Sequence, residues 1–297
     1  MKIDLTDKVA IVTGAGAGLG RAHALALVGR GAKVVVNDIH QGNATALCEE
    51  IAAQGGEALP SAANVADYGD VEGMITAATE RWGHVDILVN NAGILRDRSF
   101  AKMDLDSFRL VLDIHLMGSV NCTKAVWDGM RERGFGRIVF TTSSSGLYGN
   151  FGQANYSAAK MGLVGLMQTL ALEGARHNIR VNCLAPSAAT DMTNNLYSAE
   201  MLAGLGPDMV SPAVLALVAD DAPTRRILLA GAGGFEQANV TMTHGIHLGR
   251  GEDIAERLLR RLDEVADRDN EFIPEVGGVQ YQFEVARALD ATQASAA

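Results

Sequence analysis

The chain is poor in cysteine, in long apolar runs and in positive charge, and each scarcity removes a class of protein. Its three cysteines, Cys48, Cys122 and Cys183, are far apart and odd in number. No pair has metal-site spacing and no disulfide framework can be drawn, so reduced thiols in a cytoplasmic setting are expected. No apolar stretch reaches the ~20 residues that a membrane-spanning helix needs. Lys and Arg number 25 against 35 Asp and Glu, a formal net charge of −10. That balance argues against nucleic acid or an anionic membrane as a general partner, while leaving room for a locally basic pocket. Internal repeats and low-complexity runs are absent. Met1-Lys2-Ile3-Asp4 leads straight into a folded pattern without a signal peptide. Gln293-Ala294-Ser295-Ala296-Ala297 does not spell a peroxisomal tripeptide address.

What the chain does have is a regular alternation of strands and helices. Hydrophobic residues make up 48% of its 297 positions, ample for a large core. Lys8 to Thr13 is a short apolar run that reads as a buried parallel strand. It enters Gly14-Ala15-Gly16-Ala17-Gly18-Leu19-Gly20, followed by a helix over 21–28, a Gly29-Arg30-Gly31 turn and a second buried strand over 32–37. Asp38 closes this unit, 18 residues beyond Gly20. Strand, glycine turn, helix, strand and acid form the βαβ setting of a dinucleotide site. The glycines permit close backbone approach, the helix N-terminus faces the pyrophosphate, and the carboxylate accepts hydrogen bonds from the adenosine ribose. The bland alternative is a glycine turn that serves packing alone.

Helices follow over 43–53 and 67–82, with a short strand at 57–60 between them, then a strand at 85–89. One long helix is expected over 104–131, a strand over 137–142, a helix over 153–177 and another strand over 179–184. Ile227 to Gly234 reads as the last strand. The whole predicts an α/β fold, a doubly wound parallel sheet of Rossmann type, over residues 1–234. Residues 235–297 turn polar and predict a C-terminal helical extension, packed on the same domain or on a partner subunit. It holds a charged amphipathic helix from Arg250 through Asp267 and a short helix over 282–289.

Within the 153–177 helix, Tyr156 and Lys160 are four residues apart and so share a face. A free tyrosine has a pKa of about 10, leaving ~0.1% phenolate at neutral pH, and a nearby cation favours the charged form. The pair can therefore build a base for an alcohol proton. Taken alone, the spacing is also common on exposed helices. Ala158, Ala159, Gly162 and Gly165 crowd the same helix; they suit either a partner helix or packing within the chain.

Thr13-Gly14-x-x-x-Gly18-x-Gly20, Asn90-Asn91-Ala92-Gly93 after a strand, and Tyr156/Lys160 with Ser143 thirteen residues upstream resemble, together and in this order, the short-chain dehydrogenase/reductase family. The resemblance covers Val9 to about Thr193. It implies Ser143, Tyr156 and Lys160 as catalytic residues: Tyr156 as acid–base group, Lys160 lowering its pKa and holding the nicotinamide ribose, and Ser143 as a hydrogen-bond donor to the reacting oxygen. It implies NAD bound by Gly14, Gly18, Leu19, Gly20, Asp38, Asn64, Val65, Asn91, Ala92, Gly93, Tyr156, Lys160 and Pro186, with no metal. Asn64-Val65 stands where the family usually has Asp-Val, and Pro186-Ser187 where it usually has Pro-Gly. His115, in His115-Leu116-Met117-Gly118, replaces an asparagine that supports a water-linked proton relay; it suits either that role or packing. Family members commonly associate, so a homodimer or homotetramer is implied.

A closer resemblance links Asn90 to Phe100, Tyr148 to Lys160 and the His-Leu-x-Gly segment to the dehydrogenase part of D-bifunctional peroxisomal β-oxidation enzymes. It implies NAD-dependent oxidation of a (3R)-3-hydroxyacyl-CoA. The alternatives are a 17β-type hydroxysteroid or other secondary alcohol and, in another class, a silent nucleotide-sensing protein. Arg96, Arg98, Arg225, Arg226 and Arg250 are the cations considered for CoA phosphates. Met192, Leu196, Tyr197, Met201 and Leu202 are the apolar wall considered for an acyl chain or a steroid.

Overall fold

The protein is described from a computed structural model, covering residues 2–189 and 198–296. Two compact units divide at Ala238/Asn239.

In the first unit, strands β1 (Val9–Val12), β2 (Lys33–Asn37), β3 (Ala58–Ser61), β4 (Ile87–Asn90), β5 (Gly136–Thr141), β6 (Ile179–Ser187), β7 (Ile227–Gly231) and β8 (Gly234–Ala238) form one sheet. Its order is β3-β2-β1-β4-β5-β6-β7-β8. All neighbours are parallel except β7 and β8. Helices α1 (Gly18–Val28), α2 (Gln41–Ala53), α3 (Tyr68–Trp82), α4 (Leu105–Leu112), α5 (Gly118–Arg133), α6 (Ser144–Tyr148), α7 (Ala154–Gly174), α8 (Ala199–Gly204) and α9 (Ser211–Val218) complete it.

The central strands β1, β2 and β4 to β6 are largely apolar because both sheet faces are covered there. Alternate residues of β1 go to opposite faces: Ala10 and Val12 pack in a core with Leu27 of α1, Ile51 of α2 and Val214 of α9. Val9 and Ile11 pack with Met74 of α3, Val126 of α5 and Met167 of α7. Each fully buried Val, Leu or Met side chain contributes roughly 1.5–3 kcal/mol, enough to override weak local propensity. The sheet reverses its winding between β1 and β4, whose ends pair Val12 with Val89. A crevice opens there beyond the strand C-termini, the position at which doubly wound sheets bind ligands.

Two expectations for this unit are corrected. The long helix over 104–131 is interrupted: Asp113–Met117 is a π-helical turn between α4 and α5. Ser119 Oγ donates to the His115 carbonyl at 2.7 Å, and the expanded turn carries His115 into the interior, 2% exposed. Expanded turns of this kind recur at functional sites. The last strand is two strands: Ala232 (φ 50°) and Gly233 (φ 78°) make a two-residue reversal, and β8 returns antiparallel. Positive φ at both central residues matches the twist of a tight hairpin. β8 escapes sequence reading because it is an edge strand with an exposed middle.

The small residues of α7 divide into a packed pair and an exposed pair. Ala159 is buried, and a Cβ at Gly162 would meet Leu116 at 3.2 Å, so these pack within the chain. Ala158 is exposed and Gly165 faces open space.

The second unit contains α10 (Ile254–Arg260), α11 (Leu262–Val265) and α12 (Gly278–Ala296). The charged helix expected through Asp267 is thus two short ones, and the helix expected over 282–289 is longer. The His244 ring lies edge-on to Phe272 and Phe283, 5.5 and 5.3 Å away. Arg287 donates to the His244 and Gly245 carbonyls.

Candidate active site

Thr13, at the end of β1, joins the glycine turn to β4. Its hydroxyl accepts from the Asn91 and Ala92 N–H groups at 2.9 and 3.0 Å. The Asn91 side-chain amide donates back to the Thr13 and Gly14 carbonyls at 3.0 and 3.1 Å. Asn91 therefore shapes the turn as well as lining the crevice. The approach is too close for side chains: a Cβ at Gly14 (φ 61°) would come 2.9 Å from Ala92 Cα, and one at Gly20 2.2 Å from the Gly14 carbonyl. α1 follows Ala17, which supplies no side-chain cap, and has no acidic residue in its first turn. Its N–H groups and positive dipole end are thus left for an anion. Beside it, Asp38 Oδ2 accepts from the Gly16 N–H at 3.1 Å and Oδ1 from the His40 N–H at 2.9 Å. These bonds aim the carboxylate and leave further lone pairs for hydroxyl donors.

The crevice continues into a cavity of about 640 Å³. Gly14, Gly18, Leu19, Gly20 and Asp38 line one end; Asn91, Ala92 and Gly93 line the middle; His115, Ser143, Tyr156, Lys160 and Pro186 line the other. Thirteen of the fifteen residues singled out from sequence thus converge. Asn64 and Val65 do not. Asn64 Oδ1 is spent on the Ala66 N–H at 3.0 Å, and Val65 is buried beneath Gly118, whose Cβ would meet it at 2.7 Å.

Ser143 caps α6, its hydroxyl accepting from the Ser145 N–H at 3.1 Å. Tyr156 lies in the first turn of α7 and Lys160 one turn later. Lys160 is 3% exposed and donates to the Thr141 carbonyl, with Nζ 5.5 Å from the centre of the Tyr156 ring. Burial pushes the Lys160 ammonium down to about 7. Burial also raises the Tyr156 phenol above its ordinary value; the Ser143 hydroxyl opposes that shift and the Asp97 charge adds to it. The expected lowering by Lys160 is therefore not what dominates here. A desolvated lysine at the edge of losing its own proton is a weak counter-charge.

His115 lies edge-on to Tyr156, ring centres 5.2 Å apart. Its Nε2 is 2.9 Å from the Ile94 nitrogen and 2.8 Å from the Ile94 oxygen, while Nδ1 is buried without a partner. Burial, with the Lys160 charge added, drives the imidazole down to about 3, so it is neutral at physiological pH. Gly93 makes room for it: a Cβ there would come 2.1 Å from His115 Cε1.

Sequence reasoning missed Gln153 and Asn150, which also line the cavity. Asn150 Nδ2 donates to Gln153 Oε1 at 3.0 Å. The available signal was the position of Gln153, immediately before α7 and three residues ahead of Tyr156.

A profile of the family described as short chain dehydrogenase matches residues 8–201. The chain belongs to this family. As a short-chain dehydrogenase it is an oxidoreductase, and the sheet order and crevice described above are those of its fold. It is similar to the peroxisomal hydratase-dehydrogenase-epimerase of Saccharomyces cerevisiae, 47% identical over 242 residues, which covers 78% of this chain and 27% of that protein. Among solved structures, it resembles full-length peroxisomal multifunctional enzyme type 2 of Drosophila melanogaster, with 34% identity and a TM-score of 0.84. That likeness covers 97% of this chain and 50% of the other. A 7α-hydroxysteroid dehydrogenase complexed with NADH and a 7-oxo bile acid has 30% identity and a TM-score of 0.73, covering 79% of this chain and 96% of that one. The chain spans about a quarter of the yeast relative and half of the Drosophila one.

The topology also sorts the arginines. Arg96 and Arg98 follow β4, at the end of the sheet where the crevice opens. Arg225 and Arg226 precede β7, whose parallel pairing with β6 places them at the opposite end. They are therefore not neighbours of the site. Arg250 belongs to the second unit. Met192, Leu196 and Tyr197 lie outside the described residues. Among the described residues, no group of three His, Cys, Asp or Glu is placed to hold a metal ion, and no helix is long and apolar enough to cross a membrane.

Proposed function

We propose that this short-chain dehydrogenase oxidises a (3R)-3-hydroxyacyl-CoA to the 3-ketoacyl-CoA with NAD. The observation that carries the reading is the convergence of Ser143, Tyr156, Lys160 and His115 on one wall of a cavity whose far end is a glycine cradle closed by Asp38. The cradle fits a dinucleotide: a Cβ would fill it, an uncapped helix N-terminus faces it, and a fixed carboxylate borders it. Gly14, Gly18, Leu19, Gly20 and Asp38 would hold the adenosine and pyrophosphate portions. Ala92, Gly93, Lys160 and Pro186 would border the nicotinamide portion. When bound, the cofactor supplies the hydride acceptor.

The chain's own residues handle the proton. In oxidation, Tyr156 Oη as phenolate takes the proton of the substrate hydroxyl while the carbon-bound hydrogen leaves as hydride; reduction runs the same transfers backwards. Ser143 Oγ donates a hydrogen bond to the oxygen that gains or loses charge. Lys160 steadies the phenolate and exchanges protons at Nζ. We assign His115 a positioning role: held at Nε2 by Ile94, it presents its ring edge to Tyr156 and an unpaired Nδ1 able to hold a water between phenol and lysine. The raised phenol pKa puts the oxidative direction at its best in alkaline solution, where phenolate is available.

The likeness to multifunctional enzymes supports an acyl-CoA substrate, with Arg96 and Arg98 at the correct end of the sheet to meet its phosphates. The likeness to a bile-acid dehydrogenase supports the second reading, a hydroxysteroid. Residues 239–297 form a unit of their own. The exposed Ala158 and Gly165 on α7, flanked by exposed Met161 and Leu172, favour a homodimer or homotetramer. The three free cysteines accord with a reducing cytoplasm. The test is competition at one pH, monitored by NADH absorbance, between (3R)-hydroxyacyl-CoAs and hydroxysteroids. Higher kcat/KM for a hydroxyacyl-CoA is expected; a steroid that outperforms every thioester overturns the assignment.

A further inference from the structure

The segment after β4 is fastened to the start of the Tyr156 helix at several points. The Arg98 N–H donates to the Gly152 carbonyl at 2.8 Å. Asn155, fully buried, donates from Nδ2 to the Arg96 carbonyl at 3.2 Å. Between these, Gln153 Nε2 donates to Asp97 Oδ2 at 2.6 Å. Gln153 is 5% exposed, and its Oε1 is already taken by Asn150, so its amide is held at both ends and has one orientation. A short bond from a buried amide to a carboxylate is worth more than an exposed one, and it anchors an otherwise free surface side chain. Nothing in the fold asks for an acid at position 97: it caps no helix and forms no ion pair among the described residues.

We infer that Asp97, clamped by Gln153, is a positioning residue for Tyr156: it locks the 94–100 segment to the first turn of α7 and holds a carboxylate at the start of the helix that carries the acid–base phenol. The titratable groups around Tyr156 are Lys160 on its own helix, the neutral His115 ring from the π turn, and Asp97 from the post-β4 segment. Lys160 and Asp97 act oppositely. The cation favours phenolate, and the carboxylate favours the protonated phenol, in line with the raised pKa of Tyr156. Asp97 thereby adds to burial in raising the pH at which the enzyme changes from proton donor to proton acceptor. The inference rests on the assignment of Tyr156 as the acid–base group, but not on which alcohol is the substrate.

The test uses the full chain and three variants. Asp97→Asn keeps the shape and an oxygen for Gln153 but removes the charge. Removing it should lower the Tyr156 titration midpoint by about half a pH unit, less than the 1–3 units of a contact pair because Asp97 is exposed. Phenolate absorbance, read as each protein minus its Tyr156→Phe counterpart, gives the midpoint without any substrate. The acid limb of oxidative kcat/KM should move down by the same amount. Gln153→Leu, which releases the clamp, should lower kcat at least tenfold. The double variant Asp97→Asn/Gln153→Glu rebuilds the clamp with donor and acceptor exchanged, because Asn150 and the new Asn both donate to the new Glu. It should restore kcat and return the midpoint to the wild-type value or above. An Asp97→Asn midpoint equal to wild type, or a double variant no better than Gln153→Leu, overturns the inference. If the midpoint shifts as stated while no hydroxyacyl-CoA is turned over, the role of Asp97 stands and the substrate assignment falls.

Discussion

Gly93→Ala offers a quantitative test of how the site is built, because it adds one carbon at a place with no room. The new Cβ would come 2.1 Å from His115 Cε1, 2.8 Å from Nδ1 and 2.9 Å from Nε2. Comfortable carbon–carbon contact begins at ~3.5 Å, so the ring must retreat by about 1.4 Å. It has nowhere cheap to go. The side chain is 2% exposed, tied at Nε2 to Ile94 and stacked edge-on against Tyr156. Overpacking of a dense interior costs about 1–3 kcal/mol, and a broken bond that leaves a buried polar group unpaired costs about 1–3 more. We expect Gly93→Ala to destabilise by roughly 2–6 kcal/mol, measured by urea unfolding. The decisive measurement is the double-mutant cycle. In a His115→Ala background the obstacle is gone, and the same substitution should cost under ~0.5 kcal/mol. Equal costs in the two backgrounds would refute the close approach of Gly93 and His115, and with it the placement of the imidazole against the phenol. Activity in the single variant should fall along with stability, since the ring edge that positions Tyr156 is displaced.

Tyr156→Phe should abolish turnover while leaving NAD binding largely intact; a loss of ~100- to 10,000-fold in kcat is expected, and comparable turnover would remove the phenol from the mechanism. Asp38, held by the Gly16 and His40 N–H groups, should make NAD preferred at neutral pH because it repels a 2′-phosphate; a higher kcat/KM with NADP would contradict this. His23, completely buried with Nδ1 2.9 Å from Ser211 Oγ, is pushed by burial from 6.5 down to about 4. Because its folded value is depressed, the unfolded chain binds the extra proton between those limits, so the stability it contributes is complete above pH 6.5 and is lost as pH falls towards 4, at up to ~1.4 kcal/mol per pH unit. His23→Gln should flatten the dependence of the urea midpoint on pH over that window, and an unchanged slope would count against the assignment.

Much of this molecule was legible in its residues, and the reasons are local. Apolar runs such as Val9–Val12 and Val34–Val36 announce strands covered on both faces, and helical spacing between them implies parallel crossovers. A glycine turn followed by helix, strand and Asp38 is a contiguous unit whose geometry follows from chain chirality and sterics. Tyr156 and Lys160 share a helix, so their juxtaposition needs no knowledge of the rest of the fold. Three-dimensional packing decided what depends on residues far apart in sequence. The π turn that buries His115 lies where α4 packs on α7 and Gly118 of α5 meets Val65, and no periodicity in 104–131 records those contacts. The electrostatics of Tyr156 follow chiefly from burial, then from the Ser143 hydroxyl and from Asp97, 59 positions upstream, so the lysine four residues away was a poor guide to them. Asn64 and Val65 do not line the cavity: Asn64 bonds within a local turn and Val65 packs in the core. Arg225 and Arg226 were removed from the site by strand direction alone. Sequence determined which groups exist and which near neighbours share a face; the tertiary structure decided which distant groups meet, because desolvation, charge and close contact act across space without regard to chain separation.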